Sequence, residues 1–196
     1  AAEAARHTDA DVEIVLLSKE PHLPYMRLNL TRFVAGEVAR ESLPIHSGQW
    51  FEEHRIECRQ GAEAVSIALQ ESRVVLRGGG ELPYAKLILA NGAHAFAPPI
   101  PGSRREGVMA LRTVEDAERL IEAARNGERC VCIGGGILGL ETAGGLAQRG
   151  ASVAVLESCG WLMPRQLPEA GGEVLRDYVE RIGVQQDGVW SYPLPD

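Results

Sequence analysis

Three glycines, Gly134, Gly136 and Gly139, stand in the spacing G-x-G-x-x-G in the second half of the chain. Gly134 permits a sharp turn, Gly136 lets the backbone approach an anion closely, and Gly139 lets a helix pack tightly against a strand. A helix that begins in such a loop directs free backbone N–H groups at the anion. The glycine pattern therefore indicates a loop that binds a pyrophosphate.

The stretches on either side of this loop support the same chemistry. A β-branched run, residues 128–133, precedes it, and a helical run to Gly150 follows it. Two glycines inside that helix, residues 144–145, either allow close packing or weaken the unit. A second apolar run, residues 153–156, ends at Glu157, whose carboxylate would accept hydrogen bonds from a ribose. Strand, glycine turn, helix, strand and acid in this order predict a dinucleotide-binding βαβ unit.

Composition and charge exclude two classes of partner. The 196-residue chain is 45% hydrophobic, which is enough for a core, and its formal charge is -7. It has no run of Lys and Arg of the kind that binds phosphate backbones, so we expect no nucleic-acid partner. No apolar run approaches the roughly 18 residues of a membrane span. We therefore expect no membrane partner and a cytoplasmic protein.

The four cysteines do not have the spacing of metal ligands. None belongs to a C-x-x-C pair and none has a His-rich neighbourhood, so we predict no metal site. Cys130 and Cys132 alternate along a predicted strand and would share one face of it. We interpret them as two small buried core residues, with a redox role as the alternative.

The N-terminal residues have the pattern of the second half of another dinucleotide unit. Residues 1–7 are mostly helix formers, residues 12–17 predict a strand, and Glu20 lies just beyond it. Residues 26–36 then predict a short helix that Gly36 ends.

The middle of the chain changes to a β pattern. A short helix is predicted at residues 50–55, and alternating runs over residues 56–90 predict a β-meander that leads into a buried strand at 84–90. Prolines between residues 98 and 101 end this region, so we place a domain boundary near Gly102.

Two helices flank the βαβ unit. Thr113 and Asp116 have capping-box spacing and predict a helix to about Ala124. Pro168 predicts the first turn of a helix that reaches Ile182. Residues 185–196 show no convincing pattern.

Two dinucleotide units, a meander between them, and Ala90-Asn91-Gly92-Ala93 before a proline linker resemble the two-dinucleotide-binding-domain flavoproteins. These are the FAD- and NAD(P)H-dependent pyridine nucleotide oxidoreductases. Segments 20–27 and 162–167 are most similar to the branch of rubredoxin reductases and the flavin portion of the nitrite reductase large subunit.

The resemblance implies an α/β fold with two Rossmann-like dinucleotide-binding domains and a β-meander insertion. Residues 1–102 would form a partial FAD-binding domain with the meander, and residues 103–196 a partial NAD(H)-binding Rossmann domain. We expect a chain truncated at both ends, so that missing segments or a companion subunit would complete it.

The resemblance also assigns residues to the flavin. Glu20 would hold the FAD ribose, Arg27 and Arg32 would lie near the flavin and pyrophosphate, and the backbone at Asn91 and Gly92 would pass close to the flavin. The alternatives are a solvated turn carboxylate for Glu20 and solvated surface charges for the two arginines.

The nicotinamide residues follow from the same resemblance. Glu141 corresponds to a glutamate close to the nicotinamide and flavin rings, which makes it the candidate catalytic residue. Its alternative is a carboxylate stabilised by the helix dipole in the first turn. Glu157 favours NADH, because a 2′-phosphate would meet its negative charge.

The implied function is an FAD-dependent oxidoreductase that takes hydride from NADH and passes electrons onward. The acceptor would be an attached redox centre or a carrier protein such as rubredoxin or another iron–sulfur protein. No C-x-x-x-x-C pair is present, which disfavours direct disulfide reduction. The alternatives are a truncated or split NAD-binding fragment without catalytic activity of its own and, more weakly, an interaction module built on the same scaffold.

Overall fold

The computed structural model describes residues 1–125 and 127–189, with the backbone alone for residues 186–189. In chain order the helices are α1 (Ala2–Thr8), α2 (Asn29–Ala35), α3 (Gly48–Glu53), α4 (Val114–Arg125), α5 (Ile137–Gln148) and α6 (Glu169–Arg181). The strands are β1 (Ile14–Leu17), β2 (Ile56–Arg59), β3 (Ala64–Ala68), β4 (Arg73–Leu76), β5 (Glu81–Pro83), β6 (Arg129–Ile133), β7 (Ser152–Glu157) and β8 (Val184–Val189). Within the described part of the chain, no helix is long and apolar enough to cross a membrane.

The chain divides into two compact units. Unit 1 comprises Ala1–Met26 and Pro44–Ala93, and unit 2 comprises Arg27–Leu43 together with the chain from His94 onward. Helix α2 therefore belongs to unit 2, although it lies early in the sequence. The predicted boundary near Gly102 stays a prediction.

Unit 1 contains a parallel pair of strands. Strand β1 pairs with β2 in the register Ile14 opposite Ile56, and α1 precedes β1 as the helix-forming N-terminus predicts. The interpretation of Ile56–Arg59 as the first run of the meander is wrong, because Ile56 is 3% exposed and its strand pairs with β1. The order of helix, strand and parallel strand is that of half a dinucleotide unit.

The meander of unit 1 is a separate antiparallel sheet in the order β3-β4-β5. The predicted buried strand at residues 84–90 is wrong. Strand β5 ends at Pro83, and Ile88 and Leu89 are 66% and 68% exposed. An apolar run becomes a buried strand only where neighbouring strands pair with it, and among the described residues the β1–β2 sheet has no third strand.

Unit 2 is built on three parallel strands in the order β6-β7-β8. The succession of β6, α5 and β7 confirms the predicted βαβ unit, with Cys130 opposite Val153 and Ile133 opposite Leu156. Strand β8 was not predicted, because its polar residues lack a strand-like alternation. The rest of the tail, residues 190–196, lies outside the described residues.

Helix α5 covers one face of this sheet. Cys130 and Cys132 share that face, as predicted, but they are half-buried rather than fully buried. The reason is that β6 lies at the edge of its sheet among the described strands. On its other face, Val131 and Ile133 are 61% and 47% exposed. Burial raises the pKa of the Cys132 thiol, which disfavours the thiolate that redox chemistry needs.

The helix ends follow local signals. Gly36 adopts φ 84° and its N–H bonds the carbonyl oxygens of Arg32 and Phe33, so it ends α2 as predicted. The capping box before α4 is also confirmed. Asp116 N–H donates to Thr113 Oγ1 at 3.2 Å, and Thr113 N–H donates to Asp116 Oδ2 at 2.9 Å.

Helices α2 and α5 pack closely within unit 2. A Cβ on Gly145 would lie 3.0 Å from the backbone nitrogen of Ala35, closer than most Cβ contacts, so α2 would have to shift to admit a side chain. Further along α5, Arg149 donates from Nη2 to Phe33 O at 3.1 Å and from Nε to Val34 O. Of the two interpretations of the helix glycines, close packing is therefore the correct one for Gly145.

Candidate dinucleotide-binding site

The glycine loop between β6 and α5 is held in a sharp turn. Gly134 adopts φ 110°, which favours glycine, and its N–H donates to Leu156 O at 2.8 Å. A Cβ on Gly139 would lie 2.1 Å from Gly134 O, so a side chain there would collide with the backbone of the loop. The loop can fold against the start of α5 only because both positions are glycine.

The start of α5 is open to a ligand. Gly136 is the N-cap, with φ -79° and ψ 174°, and no side chain caps the helix. A Cβ on Gly136 would have no neighbour within 4 Å. The first N–H groups of a helix have no partner inside it and carry the positive end of the helix dipole. This end of α5 therefore suits an anion such as a pyrophosphate.

Glu157 closes the loop from the end of β7. Its side chain is only 8% exposed. Oε2 accepts a hydrogen bond from Gly135 N–H at 2.8 Å, and Oε1 accepts from Ser158 Oγ and from Cys159 N–H, both at 3.0 Å. The acid predicted to meet a ribose thus lies directly against the glycine loop.

These donors keep Glu157 ionised. Burial by itself raises the pKa of the carboxyl group, but the N–H groups of Cys159, Gly135 and Ser158 and the hydroxyl of Ser158 outweigh it and hold the pKa below its ordinary value. An ionised carboxylate accepts hydrogen bonds and donates none. It can therefore bind a hydroxyl-bearing sugar, and it repels a phosphate.

Glu141 lies on α5 and its carboxylate is held from α2. The helix begins at Ile137, so Glu141 falls just beyond the first turn, and the first-turn dipole interpretation is wrong. Its Oε2 accepts a hydrogen bond from Thr31 Oγ1 at 2.8 Å. Thr31 is 5% exposed while Glu141 is exposed, so a buried hydroxyl fixes one oxygen of a carboxylate at the surface.

The two arginines predicted near the flavin belong to unit 2, with the glycine loop. Arg27 is half-buried and donates from Nη1 to Arg112 O at 2.7 Å. Arg32 is exposed and pairs with Glu37, with Nε and Oε2 3.2 Å apart. The role of either residue at a flavin stays a prediction.

The other predicted flavin residues belong to unit 1. Glu20 is half-buried, and its Oε2 accepts a hydrogen bond from the Tyr25 hydroxyl at 2.5 Å. Asn91 and Gly92 are exposed, and the unusual backbone angle is at Gly92, with φ 67°. A ribose role for Glu20 stays a prediction, as does a close backbone approach at residues 91–92.

Three residues of this region were not singled out from the sequence. Thr31 and Arg149 bond partners more than a hundred positions away, so no local pattern could reveal them. Ser158 could have been found, because a hydroxyl directly after a strand-end carboxylate is placed to bond it.

Comparison with known proteins links this site to a family. The family model described as pyridine nucleotide-disulphide oxidoreductase matches residues 1–187. The nitrite reductase [NAD(P)H] large subunit of Klebsiella oxytoca is 38% identical over 181 residues, covering 92% of this chain and 19% of that protein. The ferredoxin–NAD(+) reductase component of the anthranilate 1,2-dioxygenase system of Burkholderia cepacia is 37% identical over 176 residues, covering 87% of this chain and 42% of that protein.

A solved structure extends the likeness to the fold. The crystal structure of NADH:rubredoxin oxidoreductase from Clostridium acetobutylicum matches with a TM-score of 0.80 and 29% identity, covering 88% of this chain and 45% of that one. The likeness confirms the predicted α/β fold of the two-dinucleotide-binding-domain flavoprotein reductases. The chain spans less than half the length of each of these three proteins.

Proposed function

Because the chain belongs to the pyridine nucleotide-disulphide oxidoreductase family, we propose that it forms part of an FAD-dependent oxidoreductase that uses NADH. When bound, NADH and FAD would supply the hydride-transfer and single-electron chemistry, and the residues of the chain would hold and orient them. The proposed acceptor is a carrier protein such as rubredoxin or another iron–sulfur protein, or an attached redox centre. The names of the similar proteins, which include a nitrite reductase, a ferredoxin reductase and a rubredoxin oxidoreductase, support this range.

The observation that carries the proposal is the closed arrangement of glycine loop, helix start and acid. The uncapped first turn of α5 would hold the pyrophosphate of NADH, and the open space beside Gly136 would let it approach. Glu157, held 2.8 Å from Gly135 N–H, would accept hydrogen bonds from the adenosine ribose. The same charge would exclude the 2′-phosphate of NADPH.

The residues proposed for FAD suit its ribose and its flavin ring. Glu20 follows β1 at the carboxyl end of a parallel pair, where dinucleotides bind, and a carboxylate suits a ribose diol. Gly92, with φ 67° and no side chain, would let the backbone pass close to a flat ring. Arg27 and Arg32 would contribute positive charge near a reduced flavin. The backbone of Asn91, next to Gly92, would also lie close to the flavin.

The remaining parts of the proposal concern Glu141 and the division of the chain. Glu141 would lie near the reacting rings, oriented by the hydrogen bond from Thr31. Residues 1–102 would supply the FAD-binding region and residues 103–196 the NAD(H)-binding region, with α2 packing in unit 2. A cytoplasmic location remains part of the proposal.

The chain can be tested directly for both cofactors. It would be purified, incubated with FAD and desalted, and the flavin absorbance measured before and after anaerobic addition of NADH. We expect a yellow protein that NADH bleaches. Glu157→Ala should weaken NADH binding by about tenfold or more, the value of one charge-assisted hydrogen bond, and unchanged affinity would contradict the assignment. Glu173→Ala, at an exposed glutamate of α6, is the matched control.

The second candidate is an NAD-binding fragment without turnover of its own. It is favoured by the presence of a single G-x-G-x-x-G loop in the sequence, Gly134–Gly139. A colourless protein that binds NADH would support this candidate over the first. A protein that binds neither FAD nor NADH would contradict both.

A further inference from the structure

The hydrogen-bonding capacity of Glu157 is nearly filled by the protein itself. A carboxylate offers about four acceptor sites, two on each oxygen. Oε1 already accepts from Ser158 Oγ and Cys159 N–H, and Oε2 accepts from Gly135 N–H. The backbone N–H of Ser158 also stabilises the carboxylate. Oε1 is therefore full, and at most one site remains, on Oε2.

A ribose diol needs more acceptor sites than the Glu157 carboxylate has free. Its two adjacent hydroxyls each donate one hydrogen bond, and a carboxylate receives them best with one on each oxygen. At most one site is free, on Oε2, so one donor must leave Oε1 before both hydroxyls can bind. The Glu157 side chain is 8% exposed, which leaves little room for it to turn toward the ligand instead.

The donors differ in how readily they can leave the carboxylate. Gly135 N–H is fixed by the glycine loop, because the carbonyl oxygen of Gly135 also accepts a hydrogen bond from Met163 N–H at 2.9 Å. The N–H groups of Cys159 and Ser158 are main-chain groups and move only with the backbone. Ser158 is exposed, and its hydroxyl can rotate to bond water at little cost.

We propose that Ser158 is an affinity-determining residue that competes with the adenosine ribose for Oε1 of Glu157. Binding of NADH displaces the Ser158 hydroxyl, and the lost hydrogen bond reduces the affinity. This inference rests on the proposed NADH site, and it adds a residue that sets how tightly that site holds its ligand.

The test measures the dissociation constant of NADH by fluorescence titration of the full chain and its variants. Ser158→Ala removes the competing donor and should tighten NADH binding by about fivefold, the equivalent of one neutral hydrogen bond. Ser158→Thr retains a hydroxyl and should bind NADH as the unsubstituted chain does. Ser152→Ala makes the same exchange at an exposed position at the start of β7 and should also leave the affinity unchanged.

A ligand without the adenosine ribose provides a second measurement. Reduced nicotinamide mononucleotide should bind the Ser158→Ala variant and the unsubstituted chain equally. NADH binding without a gain in Ser158→Ala, or an equal gain with the mononucleotide, would overturn the role of Ser158 alone. Failure of the unsubstituted chain to bind NADH would overturn the proposed function and this inference with it.

Discussion

The Thr31 hydroxyl donates a hydrogen bond to Glu141 Oε2 over 2.8 Å, although the two residues are 110 positions apart in the sequence. Thr31 is buried on α2, and Glu141 reaches it from the exposed side of α5. The candidate catalytic carboxylate is thus oriented by a helix that lies more than a hundred residues before it in the sequence.

Removal of this hydrogen bond should weaken the α2–α5 interface. Thr31→Val keeps the shape of the side chain but leaves a methyl group in place of the hydroxyl, and we expect the free energy of unfolding to fall by about 1 kcal/mol. Thr31→Ser retains the hydroxyl and should lose less. Urea denaturation of the two variants measures the difference, and equal stability in both would show that the hydrogen bond contributes nothing.

Alanine at the two loop glycines, Gly136 and Gly139, should lower the stability of the fold to different extents. Gly139→Ala forces a Cβ to within 2.1 Å of Gly134 O, so the backbone must shift, at a cost of about 3 kcal/mol. Gly136→Ala meets no neighbour and should cost less than about 1 kcal/mol, mainly as a poorer helix cap.

Both variants should bind NADH less tightly, because each alters the loop that the pyrophosphate approaches. Thermal unfolding combined with NADH titration tests the pair. If Gly139→Ala were as stable as Gly136→Ala, the close approach of loop and helix would not be required.

Alanine at the two adjacent glycines of α5, Gly144 and Gly145, should change the stability of the chain in opposite directions. A Cβ on Gly144 would lie 3.8 Å from Ile182 Cδ1, an ordinary contact, so Gly144→Ala should stabilise the helix by about 1 kcal/mol. A Cβ on Gly145 would lie 3.0 Å from Ala35 N, and we expect overpacking to cost more than the helix gains. Chemical denaturation of both variants checks the sign, and a stabilising Gly145→Ala would contradict tight α2–α5 packing.

The ionisation of Glu157 should make stability depend on pH. Burial raises the pKa of this group, but its hydrogen bonds outweigh burial and leave the folded-state pKa below the ordinary value of 4.5. A group with a depressed folded pKa contributes fully above its unfolded pKa, and the contribution is lost as pH falls through the folded pKa. The stability difference between the unsubstituted chain and Glu157→Gln should therefore be largest near neutral pH and shrink below about pH 4.5.

Unfolding curves across this pH range give the measurement. Glu173→Gln, at an exposed residue of α6, should differ from the unsubstituted chain by the same small amount at every pH. A Glu157→Gln difference that stays constant with pH would show that the ionised form is not favoured by folding.

Local patterns were sufficient to predict the βαβ unit and the helix ends. The spacing of Gly134, Gly136 and Gly139 reflects steric needs of the loop itself, and Gly36 and Thr113 act within a few residues of their own positions. Such features depend on neighbours in sequence, so the sequence alone reveals them.

Features that depend on distant neighbours could not be read in this way. Strand β8 forms because Val184 packs beside Val153 on β7, although half of its residues are polar. Ile88 and Leu89 have a strand-like pattern without partner strands among the described residues. The hydrogen bonds that Glu141 and Glu157 accept from α2 and from the glycine loop likewise join residues that are distant in the sequence, and only the folded structure identifies them.

The bonds from Arg149 to the carbonyl oxygens of Phe33 and Val34 affect how the chain can be divided. A recombinant fragment that begins at residue 103 would leave α2 behind, uncover Gly145 and deprive Arg149 of these acceptors. A synthetic peptide of residues 27–43 would return all of these contacts, because this segment packs in unit 2. Residues 27–43 are thus suited to fragment complementation, in which two separate pieces rebuild one core.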